Sequence, residues 1–167
     1  KGNSNPWSWS DSISSWTWPS FEEKPIKVEV YSEAEEVELL LNGESLGRAP
    51  AGEEHAFKAV FDTKYKPGEL TAIAYQKGEE TGRTVLNTAG DNMQLQLDCD
   101  RKEIQADGQD LAYVDISLVD DRGILQTAAH KQVSVSIEGP GILQGFGSAN
   151  PKSGENFFDK ERTIYDG

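Results

Sequence analysis

From Ile26 onward the apolar residues of this chain recur at every second position. Ile26, Val28 and Val30 fall on one side and Lys27, Glu29 and Tyr31 on the other, the signature of a half-buried β-strand. Val37, Leu39 and Leu41 repeat the pattern and run into Asn42-Gly43. Both turn residues tolerate the positive φ of a type I′ turn, so residues 37–48 predict a hairpin with a short return strand at 45–48. Leu40 is the one apolar residue on the nominally wet face. Further strands are predicted at 55–61, 70–76 and 81–88, with turns at Lys66-Pro67-Gly68 and Lys77-Gly78.

A second alternating stretch follows the small, polar Ala89-Gly90-Asp91-Asn92. Leu95, Leu97 and Cys99 are expected to face inward along residues 94–99. Residues 111–121 predict the longest strand, with Val114, Ile116 and Leu118 on its core face. Val133, Val135 and Ile137 are expected inward along 132–138, and three short strands are expected in the Gly- and Asn-rich tail, 139–167. No segment sustains a helical period. The expectation is an all-β fold of two consecutive immunoglobulin-like β-sandwich domains, at 25–90 and 91–167.

Residues 1–24 differ from the rest. They hold all four tryptophans, as Trp7-Ser8-Trp9 and Trp16-Thr17-Trp18, among Ser, Asn and Pro. This stretch reads as an aromatic strap. Indole faces stack on sugar rings and are costly to leave wet. Trp7, Trp9, Trp16 and Trp18 are therefore the candidate residues for a carbohydrate contact, for packing against another domain or for packing back onto the first sandwich.

The net charge is −13 and is spread along the chain. Residues 1–90 carry 9 basic and 15 acidic groups, giving −6; residues 91–167 carry 7 and 14, giving −7. Such a surface repels phosphate backbones and argues against a nucleic-acid partner. No apolar run reaches the ~20 residues of a membrane span, so no membrane partner is expected. The single cysteine excludes an intrachain disulfide and leaves the compartment open, with a periplasmic or extracellular setting favoured over the cytoplasm.

The order of motifs resembles one family. Pro25-Ile26-Lys27-Val28-Glu29-Val30-Tyr31-Ser32 with the hairpin from Val37 to Arg48 resembles the sandwich domain that follows the catalytic barrel in glycoside hydrolase family 2 enzymes of the β-galactosidase type. Asp100-Arg101, then Ile104 to Val114, resembles the start of the last immunoglobulin-like domain of those enzymes. Residues 145–151 with Glu155-Asn156-Phe157-Phe158 resemble a later loop of that domain, and Trp16-Thr17-Trp18 resembles the aromatic link from barrel to sandwich.

The resemblance implies a fragment without its chemistry. The family cleaves terminal β-galactosides, or related β-glycosides, with retention, using two glutamates on a (β/α)₈ barrel. Nothing in this chain matches that barrel, so no catalytic residue is carried over. The abrupt start at Lys1 fits an excised piece. The family's last domain usually runs past the position of Gly167, so the second sandwich is expected to be incomplete and to expose an open edge. Exposed edges invite pairing with another chain. The partners implied are the parent chain's catalytic barrel, a carbohydrate and another copy at that edge. A carbohydrate-binding module and the immunoglobulin-like stalk of a bacterial surface adhesin remain the other readings.

The remaining chemistry-bearing residues read blandly. A retaining glycosidase needs two carboxyls about 5–5.5 Å apart across a cleft. Glu35-Glu36, Glu53-Glu54, Glu79-Glu80 and Asp120-Asp121 sit in predicted turns or on wet faces. Asp98, Asp100, Asp107 and Asp110 have no EF-hand spacing and suit turns. His55 and His130 are isolated, and Cys99 reads as a small buried hydrophobe. Residues 139–147 lack the lysine and helix of a phosphate loop. No catalytic, cofactor or metal residue is therefore assigned, and no cofactor is expected.

Overall fold

The structure is a computed structural model that describes residues 12–167. The chain is all-β and divides after Thr88 into two compact units.

The first unit contains β1 (Pro25–Tyr31), β2 (Glu36–Leu41), β3 (Glu44–Pro50), β4 (Lys58–Lys64), β5 (Glu69–Gln76) and β6 (Glu79–Asn87). One antiparallel sheet has the order β3-β2-β5-β6; the other pairs β1 with β4. Val37, Leu39 and Leu41 of β2, Leu70 and Ala72 of β5, and Ala59 and Phe61 of β4 form one buried cluster. Ile26, Val28 and Val30 of β1 pack against it. The alternating residues of both sheets thus meet in one core, which is what period-two patterning specifies.

The Asn42-Gly43 turn forms as its sequence predicts, with φ of 53° and 82°. The Asn42 side chain also reaches across to the next loop. Its Oδ1 accepts the Glu69 N–H at 2.8 Å and its Nδ2 donates to the Pro67 carbonyl at 3.1 Å. Gly68 is required beneath it. Its φ is 132°, and a Cβ there would fall 1.9 Å from Asn42 Oδ1. Leu40 is half-buried.

Residues 55–61 are not one strand. A 3-10 turn occupies Glu53–His55, and Ala56 and Phe57 are left-handed with φ of 53° and 59°, so the strand begins only at Lys58.

The second unit holds β7 (Gln94–Cys99), β8 (Val114–Val119), β9 (Gln132–Ser134) and β10 (Glu161–Thr163), paired β7 with β8 and β9 with β10. Its apolar cluster is Leu118, Ala129, Val133 and Ile164, with Ile116 and Phe146 packed on it. Several expectations need correction here. The strand expected over 111–121 shortens to six residues, because Asp100 and Asp110 draw the backbone of 105–113 into a loop. β6 is instead the longest strand described. The strand expected along 132–138 ends at Ser134, with one further cross-strand bond from the Val135 N–H to the Lys160 carbonyl, and Ile137 is exposed. In the tail the described residues form one strand rather than three.

Cys99, expected inward, is exposed, as are Leu95, Val114 and Leu97, the last at 64%. All four lie on the same face of the β7–β8 ladder as Leu118 and Ile116. The β9–β10 sheet is only three residue pairs long, and Val133 and Ile164 from its side reach Leu118 and Ile116 of β8 but leave β7 uncovered, Leu95 beside Leu118 included.

Candidate functional site

Trp7 and Trp9 lie outside the described residues. Trp16 does not offer its face to a ligand. It is 2% exposed and belongs to the core cluster of the first unit. Its Nε1–H donates to the Lys66 carbonyl at 3.0 Å, and its ring meets Tyr65 edge-on, with centroids 5.1 Å apart. Its carbonyl accepts the hydroxyls of Thr88 at 2.6 Å and Tyr65 at 3.3 Å. The Tyr65 oxygen also accepts the Trp18 N–H at 3.3 Å. The end of the strap is thereby fixed by a buried tyrosine.

Trp18 is half-buried, packed on that core and tilted against Phe21 at 6.4 Å. The Lys24 ammonium lies 4.5 Å over the exposed Phe21 ring. Trp18, Phe21 and Lys24 form the aromatic ledge that the described strap leaves at the surface.

On the outer face of the four-stranded sheet, Arg48 donates to Glu36 at 3.1 Å and Glu38 at 3.0 Å, with its guanidinium 4.1 Å over the Tyr75 ring. Glu38 also accepts the hydroxyls of Ser45 and Tyr75. The Ser45 hydrogen bond leads in holding the Glu38 carboxyl below its ordinary range, with Tyr75 and Arg48 adding to it. Ile73, which pairs with Glu38 and Arg83 across the sheet, is buried on this face.

The paired carboxylates have structural employment. Glu35 accepts the Lys77 N–H, Glu36 meets Arg48, and Glu80 is held by both Nε and Nη2 of Arg83. Glu53 and Glu54 lie exposed in the 3-10 turn. Asp100, Asp107 and Asp110 accept backbone N–H groups of their own loop. Among the described residues no group of three or more His, Cys, Asp and Glu is arranged to hold a metal ion. His55 and His130 are exposed, and the Cys99 thiol points to the Arg101 carbonyl at 2.9 Å. Among the described residues no helix is long and apolar enough to cross a membrane.

Two buried charges correct the sequence reading, in which Asp120 belonged to a solvated pair and Arg162 was not singled out. Asp120, 2% exposed, accepts the N–H groups of Gly90, Arg122 and Ile124 at 2.8–2.9 Å and the Arg122 guanidinium at 3.1 Å. The Gly90 N–H leads the interactions that hold its carboxyl well below the usual carboxylate range. Gln126 donates to the carbonyls of Gly90 and Asn92, completing the clamp on this segment. Arg162, 3% exposed, donates to the carbonyls of Phe146 and Asn156 and lies 3.6 Å from Glu155. Asp120 heads an ordinary-looking turn sequence and Arg162 an ordinary polar one. Only tertiary closure buries them.

With this geometry in place, likeness to known proteins is informative. Residues 23–82 match a domain of unknown function, DUF4982, and residues 95–167 match glycoside hydrolase family 2 C-terminal domain 5. The chain is 33% identical over 137 residues to the β-galactosidase BoGH2A of Bacteroides ovatus, covering 82% of this chain and 16% of that protein. It is 34% identical to a β-galactosidase of Thermoanaerobacter pseudethanolicus, over 80% of this chain and 20% of that one. A crystal structure of a glycosyl hydrolase family 2 member from Bacteroides cellulosilyticus superposes with a TM-score of 0.93 at 40% identity. That match covers 100% of this chain and 22% of the solved chain. The chain thus spans about a fifth of the length of the proteins it resembles.

Proposed function

We propose a supporting role for this chain, which belongs to the C-terminal domains of glycoside hydrolase family 2: it buttresses a catalytic barrel, carried elsewhere in its parent polypeptide, that hydrolyses terminal β-galactosides with retention. The observation that supports this is the superposition over the whole chain at 40% identity. Its parts, in this reading, are an aromatic strap at 1–24, a first sandwich domain at 25–90 and a second at 91–167.

Two finer partners belong to the same proposal. A glycan contact falls on the Trp18–Phe21 ledge, since Trp16 is enclosed. A contact between copies falls on β7, which among the described residues pairs only with β8 and is exposed along its length.

The test is to express the parent polypeptide with and without this chain and assay a panel of p-nitrophenyl β-glycosides. The full-length protein is expected to cleave the β-galactoside and release the β-anomer first. Deletion is expected to lower thermal stability and turnover together, and the chain alone is expected to be inactive. Hydrolysis by the isolated chain, or full activity and stability after its deletion, overturns the proposal.

A further inference from the structure

In a chain with 27% charged residues, residues 139–151 carry none. Part of this run is braced against the segment that follows it. The Phe146 N–H donates to the Phe157 carbonyl at 2.8 Å. The Phe157 ring lies across Gly145 and Gly147, and a Cβ at Gly147 would sit 2.5 Å from its Cζ. Arg162 ties both stretches from below through the carbonyls of Phe146 and Asn156. Glu155 accepts the N–H and hydroxyl of Thr163 and the hydroxyl of Ser153. On this braced loop Phe157 is largely exposed and Phe158 is 78% exposed.

An aromatic ring held in water by a cross-braced loop is already ordered for binding, so little entropy is lost when it docks. Buried aromatic anchors supply much of the energy of protein interfaces. A sugar site needs directed hydrogen bonds beside the stacking ring, and the oxygen of the nearest amide, Asn156 Oδ1, already accepts the Phe158 N–H. The uncharged run 139–151 lies against the Phe157 ring on one side, while Asp159, Lys160 and Glu161 follow Phe158, the arrangement of an apolar anchor with a polar rim. The proteins that match this chain carry roughly four fifths of their length outside it. Such a covalently attached surface acts at a high effective concentration.

We infer that the Phe157-Phe158 loop is an anchor that seats in an apolar pocket on the remainder of the parent polypeptide. This rests on the reading of the chain as an accessory part of a larger glycosidase. The test places p-benzoylphenylalanine at position 158 of the full-length protein, irradiates it and maps the adducts by mass spectrometry. The expected product is an intramolecular cross-link to a peptide outside this chain, reduced at least tenfold in denaturant. Covalent dimers, an adduct to an added galacto-oligosaccharide, or no adduct would each overturn the anchor. β-Galactoside hydrolysis is assayed on the same sample. Activity without the cross-link sinks the anchor alone, whereas the cross-link without β-glycosidase activity sinks the assigned chemistry and leaves the anchor standing.

Discussion

Truncating Trp16 separates a core tryptophan from a sugar platform. Its side chain is almost wholly enclosed, in contact with Tyr65 and the cluster around Leu39 and Phe61. Removing a large buried aromatic costs about 3–5 kcal/mol. That is a large share of the 5–15 kcal/mol that holds a typical domain together, so Trp16→Ala should leave the first unit close to unfolded. Trp16→Phe is the more informative change. It keeps most of the apolar burial but removes the Nε1–H bond to Lys66, worth about 0.5–1.5 kcal/mol. It also weakens the edge-on contact with Tyr65, worth about 0.5–1.5 kcal/mol. The combined loss of about 1–3 kcal/mol corresponds to a fall of roughly 5–20 °C in Tm for a unit of this size. Trp18→Phe, at a half-buried site, should cost less than half of that. The assay is thermal and urea unfolding followed by circular dichroism, with galactoside titration of each variant that folds. If Trp16→Phe melts within 2 °C of the parent, or lowers sugar affinity without lowering Tm, the argument that this indole is a structural pin is wrong.

Three further outcomes follow from single contacts. The folded-state pKa of Asp120 is lowered, so its stabilisation is present above its ordinary unfolded value of about 3.9 and drains away as pH falls below it. In Tm measured from pH 7 to pH 2, Asp120→Asn should lower the neutral plateau and flatten the acid limb; an unchanged acid limb would discard Asp120 as its cause. Gly68→Ala forces a Cβ into Asn42 at a positive φ and should cost more than about 1 kcal/mol, read as a shift in urea midpoint at constant slope. The Ser148 hydroxyl is buried without a hydrogen-bond partner. Ser148→Ala should therefore be neutral or stabilising by up to about 1 kcal/mol, and a loss of stability would show that the hydroxyl is bonded after all.

The legible parts of this fold were those decided by neighbours in sequence. The Asn42-Gly43 and Lys77-Gly78 turns are written in their dipeptides, and all four residues adopt the positive φ those dipeptides permit. The dry faces of β1 and β2 follow from alternation, and each faces the same cluster. Residues 55–57 were misread because Ala56 and Phe57 take left-handed backbone that neither residue type favours. The Gly52 carbonyl holds them there by accepting both the His55 and Phe57 N–H groups. Of the candidate site, the sequence did not tell which of the described indoles would be enclosed. Trp16 and Trp18 sit in the same local pattern, and only the Lys66 carbonyl and the Tyr65 ring distinguish them.

The second unit carries this lesson further. Leu95 and Leu97 alternate as cleanly as Leu39 and Leu41, yet one pair is exposed and the other buried. Alternation states which face of a ladder prefers to be dry; it is silent about what lies opposite. In the first unit, β1 and β4 face each other over seven register pairs, long enough to line the β2–β5 face from end to end. In the second, β9 and β10 share three, and the apolar face outruns its cover. The buried charges fit the same contrast. Where apolar area is short, unit two is held by Asp120 gripping Gly90, Arg122 and Ile124, and by Arg162 gripping Phe146 and Asn156. Hydrogen bonds to a charged group contribute about 1.5–3 kcal/mol each, and they fix the geometry of the loops they grip. Such a unit presents rigid loops while retaining apolar surface to bury, which suits an element that completes its packing against a larger neighbour.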